Sequence, residues 1–472
     1  MASGPNHGEG MSRQGRYLIL VSAFLGWMFS GMQMSLMSLA AGSATRDFAE
    51  RGQLDLDAYI SWRNLWPRTD RAGAAEPLAA EALQQVLKQQ TPKWFSLYSS
   101  VFLMGAAAGG LVFGWVGDRI GRVKAMAASI FCYSLFGGAG YFAVTAEQLL
   151  LMRFLSGMGV GGMWPTGVAL AAEAWSDVSR PKLSGWLGAS ANFGIMLVSA
   201  VAYFATVTPD SWRWIMLVAA SPAVLCVVVL MLVPESPAWL ALQSQRGARP
   251  PQGIGQLFQP PLLRLTLIGI ALGTIPLLGG WGVTQWLIPW TEQVAGALDH
   301  RAKALTAMMR SAGGALGSWY GGQLANLCGR RATYFVISLS SLVLSEVIYV
   351  FMHPDMPGFS AAVFVVGAIS TVFFGWLPLY LPELFPTHVR ATGSGISFNF
   401  GRILTAVGVL GTGALTAYFH ADYQRAGGIM SLIYGLGMIV ILFAPDTTGK
   451  KLSEAPAPAT ETPPAQPALA RP

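Results

Sequence analysis

Long uncharged runs constrain this chain more than any other feature of its sequence. From Tyr17 to Ala41, and again from Trp214 to Val233, there is not one Asp, Glu, Lys or Arg. As a helix, each run is long enough to cross the roughly 30 Å of hydrocarbon in a bilayer. Of the 472 residues 53% are hydrophobic and only 11% charged, whereas soluble domains carry roughly a quarter charged residues. A fold with so little charge cannot clothe itself in water, so the lipid bilayer is the expected solvent and the chain is expected to be an all-α membrane protein.

Apolar runs, read with their Gly, Pro and charged punctuation, predict twelve transmembrane helices. They fall near 17–42, 95–115, 122–143, 146–172, 183–206, 213–233, 264–290, 303–325, 332–352, 359–381, 392–418 and 426–444. The resulting organisation is a tail over 1–16, a first six-helix bundle over 17–233, a Pro- and Gly-rich connector over 234–263, a second bundle over 264–444 and a tail over 445–472. Residues 43–94, polar and charged with Trp62 and Trp66, form an insert between the first two helices. The Pro/Ala/Thr stretch at the end cannot bury a core and is expected to be disordered.

The net charge of +7 would suggest nucleic acid in a soluble protein, but here the basic residues sit between spans. Roughly sixteen Lys or Arg fall on one side of the predicted topology and about four in the short loops opposite, as the positive-inside rule requires. Both termini are therefore expected in the cytoplasm, the membrane is expected to be the cytoplasmic one, and nucleic acid is not an expected partner. Residues 43–94 then lie outside. The first fifteen residues lack a signal peptide's apolar core and cleavage site, so the first helix is expected to be its own uncleaved signal. Cys132, Cys226 and Cys328 lie in predicted helices or at a helix end and imply no disulfide framework.

The chain repeats itself at about half its length. Gly114, Asp118, Gly121 and Arg122 recur at one fixed offset as Gly322, Asn326, Gly329 and Arg330; Glu173 and Arg180 recur as Glu383 and Arg390; Pro234 and Glu235 recur as Pro445 and Asp446. Each match falls at the same point of a six-helix unit, so two pseudo-symmetric six-helix bundles are the economical reading.

The sharpest local motif is GWVGDRIGRVK, Gly114 to Lys124. Its glycines permit a tight turn, and Asp118 can meet the N-terminus of a neighbouring helix or a basic partner across the bundle. Gly114, Asp118, Arg119, Gly121 and Arg122, with Asn326, Arg330 and Arg331 in the repeat, read as a latch that breaks and remakes as two halves rock. A loop that only sets topology is the plainer alternative. Glu173, Arg180, Glu235, Glu383 and Arg390, at helix ends on the same side, read as further salt-bridge partners of that latch.

These motifs resemble those of the major facilitator superfamily. GWVGDRIGR is similar to its signature turn, and RFLSGMGVGG (Arg153 to Gly162) with Glu173 looks like its fourth helix. PESPAWL (Pro234 to Leu240), PELFPTHVRATG (Pro382 to Gly393) and PDTTGKKL (Pro445 to Leu452) resemble markers of its sugar-porter and metabolite or aromatic-acid:proton symporter branches. The resemblance spans 17–452 and implies two bundles around a central cavity and a rocker-switch carrier. Two departures stand out. Ser30 and Gln33 occupy the middle of helix one, where aromatic-acid symporters carry acids, and the paired glutamines of sugar porters are missing from GGWGVTQWLIPW in helix seven.

Charges inside a bilayer cost several kcal/mol unless they face water or a partner, which makes them pointers to a transport pathway. Arg310 in helix eight and Arg402 in helix eleven qualify, the latter with Asn399 three residues earlier as a forked donor for a carboxylate. Tying helix ends together is the competing role for both. Arg153, placed nearer the outer surface, and Glu346 read as pairing or relay groups. Ser30, Gln33 and Met37 follow helical spacing on helix one and would line one face; helix packing is the alternative. Asn192, Gln285, Trp286 and Trp376 complete the candidate substrate-binding set.

GMGVGG (Gly157 to Gly162) follows no strand and no GK[ST] succeeds it, so it reads as close helix packing rather than a nucleotide loop. No metal-ligand spacing, nucleophile elbow, ATP-binding domain or cofactor motif is apparent. The chain is thus expected not to be an enzyme but a monomeric, gradient-driven carrier of a small polar solute. An organic anion is the first expectation and a neutral sugar or polyol the second; a non-transporting sensor on the same scaffold is the rival from another class. Whether a coupling ion takes part is left open.

Overall fold

The computed structural model describes residues 11–54, 62–66, 80–175, 180–236, 239–240, 254–296, 298–386 and 389–448. Twelve membrane-crossing segments appear among them, and no strand. The first half comprises α1 (Arg13–Glu50), α2 (Ala80–Ile120), α3 (Arg122–Phe142), α4 (Ala146–Met163, continuing to Ala174), α5 (Arg180–Phe204) and α6 (Trp214–Leu232). The second comprises α7 (Leu262–Ala295), α8 (Ala302–Cys328), α9 (Arg330–Phe351), α10 (Phe359–Glu383), α11 (Arg390–Tyr418) and α12 (Tyr423–Phe443).

Ten of these segments are long and apolar enough to span a membrane by composition alone. The two that fall short are α4 and α8, which carry Arg153 and Arg310 and many glycines and turn those residues inward. Side-chain caps mark several starts: Ser12 accepts from Gly15 N at 3.1 Å, Thr145 from Gln148 N at 3.2 Å and Asp422 from Arg425 N at 3.0 Å. α4 and α7 each relax through one π turn, Trp164–Val168 at Pro165 and Gly279–Val283 after Pro276, where a missing or blocked backbone donor loosens the helix.

The structure lengthens two predicted segments. α1 runs on to Glu50 and α2 begins at Ala80, so 43–50 and 80–94 of the predicted insert are helix; hydropathy marks where the apolar run ends, not the helix end. Trp66 is 72% exposed.

Within each half, small residues let helix pairs approach at matching places. A methyl group on Gly161 (α4) would sit 1.9 Å from the Ala106 carbonyl of α2, and one on Gly317 (α8) 1.9 Å from that of Ala368 on α10. Between the halves, α5 packs on α8, where Trp186 and Trp319 stack at 5.1 Å, and α2 packs on α11, where Ser100 donates to the Ala406 carbonyl at 2.8 Å.

The α2–α3 and α8–α9 turns share one face of the molecule, hereafter the basic face. The other is the opposite face.

Candidate functional site

A cavity of about 130 Å³ lies between the halves at mid-depth. Its walls are aromatic: Trp27 from α1, Trp164 from α4, Trp281 from α7 and Phe398 from α11 all line it. The polar groups set into this wall are Asn192 (α5), Thr284 and Gln285 (α7), Arg310 (α8), Ser370 and Thr371 (α10) and Arg402 (α11). No Asp or Glu lines it, so two guanidinium groups are its only formal charges among the described residues.

The two arginines are held differently. Arg402 is 5% exposed; its Nη1 donates to the Ala106 carbonyl of the other half and to Asn399 Oδ1, both at 3.2 Å, and its guanidinium lies 4.9 Å from the centre of the Phe398 ring. Arg310 is 6% exposed, and its buried Nε makes no hydrogen bond among the described residues. A buried donor left unpaired is costly, so an acceptor entering the cavity meets a group already desolvated. Gln285 turns one donor to Ser38 Oγ at 2.7 Å, and Asn192 donates to Ser318 Oγ at 3.4 Å.

Towards the basic face the cavity shares Trp164, Pro378, Phe398 and Arg402 with a vestibule of about 600 Å³ that Asn399 and Arg390 also line. Trp164 and Phe398, one from each half, stack at 6.3 Å and 19° across this junction. The vestibule on the opposite face, about 390 Å³, shares no lining residue with the cavity among the described residues. The Gln285–Ser38 bond and Trp286, packed on Phe95 at 5.1 Å and Tyr423 at 6.0 Å, lie between them.

Of the predicted substrate-binding residues, the fold brings Asn192, Gln285, Arg310 and Arg402 to the cavity, with Asn399 beside Arg402. Four others point elsewhere. Ser30 bonds its own helix at Gly26 O, 2.9 Å away. Gln33 is spent inside the first half, donating to Ala219 O at 2.7 Å and accepting from Ser156 at 3.3 Å. Trp376 is buried with Tyr334 and Tyr380, and Trp286 belongs to the plug just described. α1 instead presents Trp27 and Met34 to the cavity, a face rotated away from Ser30, Gln33 and Met37. Trp164, Trp281, Phe398 and the Ser370–Thr371 pair escaped the sequence reading, although two adjacent hydroxyls inside the apolar α10 were a usable signal. Arg153, in the opposite-face half of α4, is buried at 2% exposure with its guanidinium 4.2 Å from the Phe102 ring centre. Glu346 accepts from Ser431 at 2.5 Å, which makes it a paired group.

The predicted latch residues form two clusters, one in each half. In the first, Arg122 pairs with Asp118 at 2.6 Å along the same chain turn, and Arg119 lies over Trp115 at 3.9 Å. Glu235, not Asp118, caps α3, accepting from Arg122 N at 3.0 Å and Val123 N at 3.3 Å, while Ser236 donates to Glu173. In the second, Arg330 pairs with Glu383 at 3.1 Å and donates to Asn326 at 2.7 Å. There Thr448, braced by Asp446, takes the capping role, accepting from Arg330 N at 2.9 Å. Arg331 reaches the Leu442 carbonyl and Arg390 that of Phe385 at 3.4 Å. A methyl group on Gly114 would meet nothing within 4 Å. The Arg180 side chain lies outside the described residues.

Comparison with known proteins places this geometry. A family profile described as Major Facilitator Superfamily matches residues 19–409. The chain is 28% identical to the probable 4-methylmuconolactone transporter of Cupriavidus pinatubonensis, over 79% of this chain and 87% of that one. It is also 28% identical to the cis,cis-muconate transport protein of Acinetobacter baylyi, over 73% and 81%. The partially occluded, inward-open xylose transporter of E. coli superposes with a TM-score of 0.67 over 92% of this chain and 99% of that one, at 17% identity, which shows a shared fold.

Proposed function

The chain belongs to the Major Facilitator Superfamily, and from that premise we propose that it carries a small organic anion across the membrane by alternating access of the central cavity. It is a multi-pass membrane transporter, not an enzyme. The observation that carries the anion is the charge of the cavity: among the described residues Arg310 and Arg402 line it and no carboxylate does. A substrate carboxylate would give Arg310 Nε a charged acceptor and would compete with neutral carbonyls for Arg402. The tryptophans and Phe398 suit a flat or unsaturated carbon skeleton. Relatives named for muconate and 4-methylmuconolactone support the same class.

In this reading the halves rock about the cavity, the Trp164–Phe398 stack parts toward the basic face, and the Gln285–Ser38 contact and Trp286 part toward the other. The clusters around Asp118–Arg122 and Arg330–Glu383 shape the basic-face ends of the helices. The positive-inside rule puts that face, with both chain ends, in the cytoplasm, and the bacterial relatives support the cell inner membrane.

The test is uptake by proteoliposomes of a panel of carboxylates, including cis,cis-muconate, and of neutral sugars and polyols, with Arg310→Ala and Arg402→Ala. Each change is expected to lower carboxylate uptake about tenfold or more, the worth of a lost charge-assisted bond; undiminished uptake in both would sink the anion reading. A second reading, a neutral sugar or polyol, is favoured by the Asn192 and Gln285 amides beside three tryptophans. Under it the panel's sugars, not its acids, would be taken up and both variants would remain active.

A further inference from the structure

An ion pair stands at the mouth of the opposite face, while no carboxylate lines the central cavity among the described residues. Lys303, at the start of α8, lies 2.5 Å from the carboxylate of Glu292, near the end of α7. Lys303 is 4% exposed and Glu292 21%. Both belong to the second half, yet the pair is pressed against the first. Lys303 Nζ reaches Ser43 Oγ on α1 at 3.4 Å, and a methyl group on Gly42 would come within 2.5 Å of a Glu292 carboxylate oxygen. The pair is therefore wedged at the seam between α1 and α7, above the Gln285–Ser38 contact.

Glu292 also lines the vestibule on that face. The titratable or charged groups lining it with Glu292 are Arg46 of α1, held by Glu50 at 2.8 Å, Lys88 of α2, His300 of the α7–α8 turn and Tyr423 of α12. Glu292 is its only carboxylate among the described residues. Water in the vestibule thus reaches the acid, while its ammonium partner is nearly dry.

We propose that Glu292, with Lys303, is a proton-binding site that gates the opposite face. A proton from the vestibule adds to a carboxylate oxygen of Glu292, and no other bond changes. Lys303 keeps its charge but loses its counter-ion, and an uncompensated buried charge is strongly unfavourable. The ammonium is rehydrated when α1 and α7 separate, so proton binding on that face favours opening on that face. This rests on the alternating-access reading and supplies its cycle with an ion-sensitive step.

The experiment is a distance measurement between spin labels on Glu50→Cys and Leu298→Cys, in nanodiscs, with Cys132, Cys226 and Cys328 replaced by serine. The labels sit on either side of the mouth, and Leu298 is 94% exposed. Acidification from neutral into the carboxylate range, about pH 4, is expected to lengthen the distance. Glu292→Gln is expected to hold the long distance at every pH, and Lys303→Met to show it at neutral pH, which carries the test should Glu292→Gln not insert. Glu292→Asp and His300→Gln are expected to keep the response. A response that survives in Glu292→Gln, or is lost in His300→Gln, overturns the proposal; so do short distances at neutral pH in both Glu292→Gln and Lys303→Met. Uptake measured alongside separates the two readings. No carboxylate uptake with an intact pH response defeats the substrate assignment alone, and uptake without a response defeats the gate alone.

Discussion

A charged residue in a membrane span announces itself in a sequence, whereas a polar uncharged one does not. Arg310 and Arg402 were legible because lipid cannot hold them, and both line the cavity. Gln33, uncharged, entered the candidate binding set only by its spacing on α1, and its two partners, Ala219 O and Ser156, are on α6 and α4. Nothing along the chain gives the rotation of α1 that brings them together. Gln33→Ala should therefore behave as a packing change. Leaving the buried Ala219 carbonyl unpaired costs about 1–3 kcal/mol, so the thermal midpoint is expected to fall while KM for the transported solute stays within about twofold. A KM change as large as that of Arg402→Ala would restore Gln33 to the binding set.

Helices show a second limit. The GWVGDRIGR turn was recognisable, yet its chemistry differs from the expected one because the cap of α3 comes from a residue far along the chain. Gly121 has φ +112, a backbone conformation that disfavours any side chain, and a methyl group there would lie 2.2 Å from the Glu235 carboxylate. Gly121→Ala should therefore strain the turn and displace the cap together, at about 1–3 kcal/mol. The expected readout is a lowered thermal midpoint that Gly114→Ala, at a position with open space, does not reproduce; equal destabilisation by both would count against the capping account. In the second half Thr448 does the work of Glu235, and the offset between Glu235 and Asp446 found the right stretch of chain but not the capping atom.

At the scale of the whole molecule, transport in the proposed cycle requires the halves to part on the opposite face. Ser96 of α2 and Gly413 of α11 meet there, with a Gly413 methyl group 2.2 Å from Ser96 Oγ. Joining cysteines at these positions with a short bifunctional reagent should stop uptake, and cleaving the link should restore it. Full activity in the linked protein would mean that the α2–α11 seam does not open.

Much of this architecture was settled by the sequence alone. Runs without charge dictate spans because lipid offers backbone and side chains no partners, and six-helix periodicity in the motifs dictates two related halves; ten spans meet the criterion outright and the remaining two were still found by their punctuation. What each helix turns toward its neighbours was decided only by tertiary structure. The rotation of α1, the aromatic wall of the cavity and the wedge of Glu292 and Lys303 against Gly42 all depend on contacts between residues far apart in the chain. In a nearly uniform apolar sequence, partition into lipid fixes where a helix lies but leaves its facing to packing, and packing is a property of the assembled bundle.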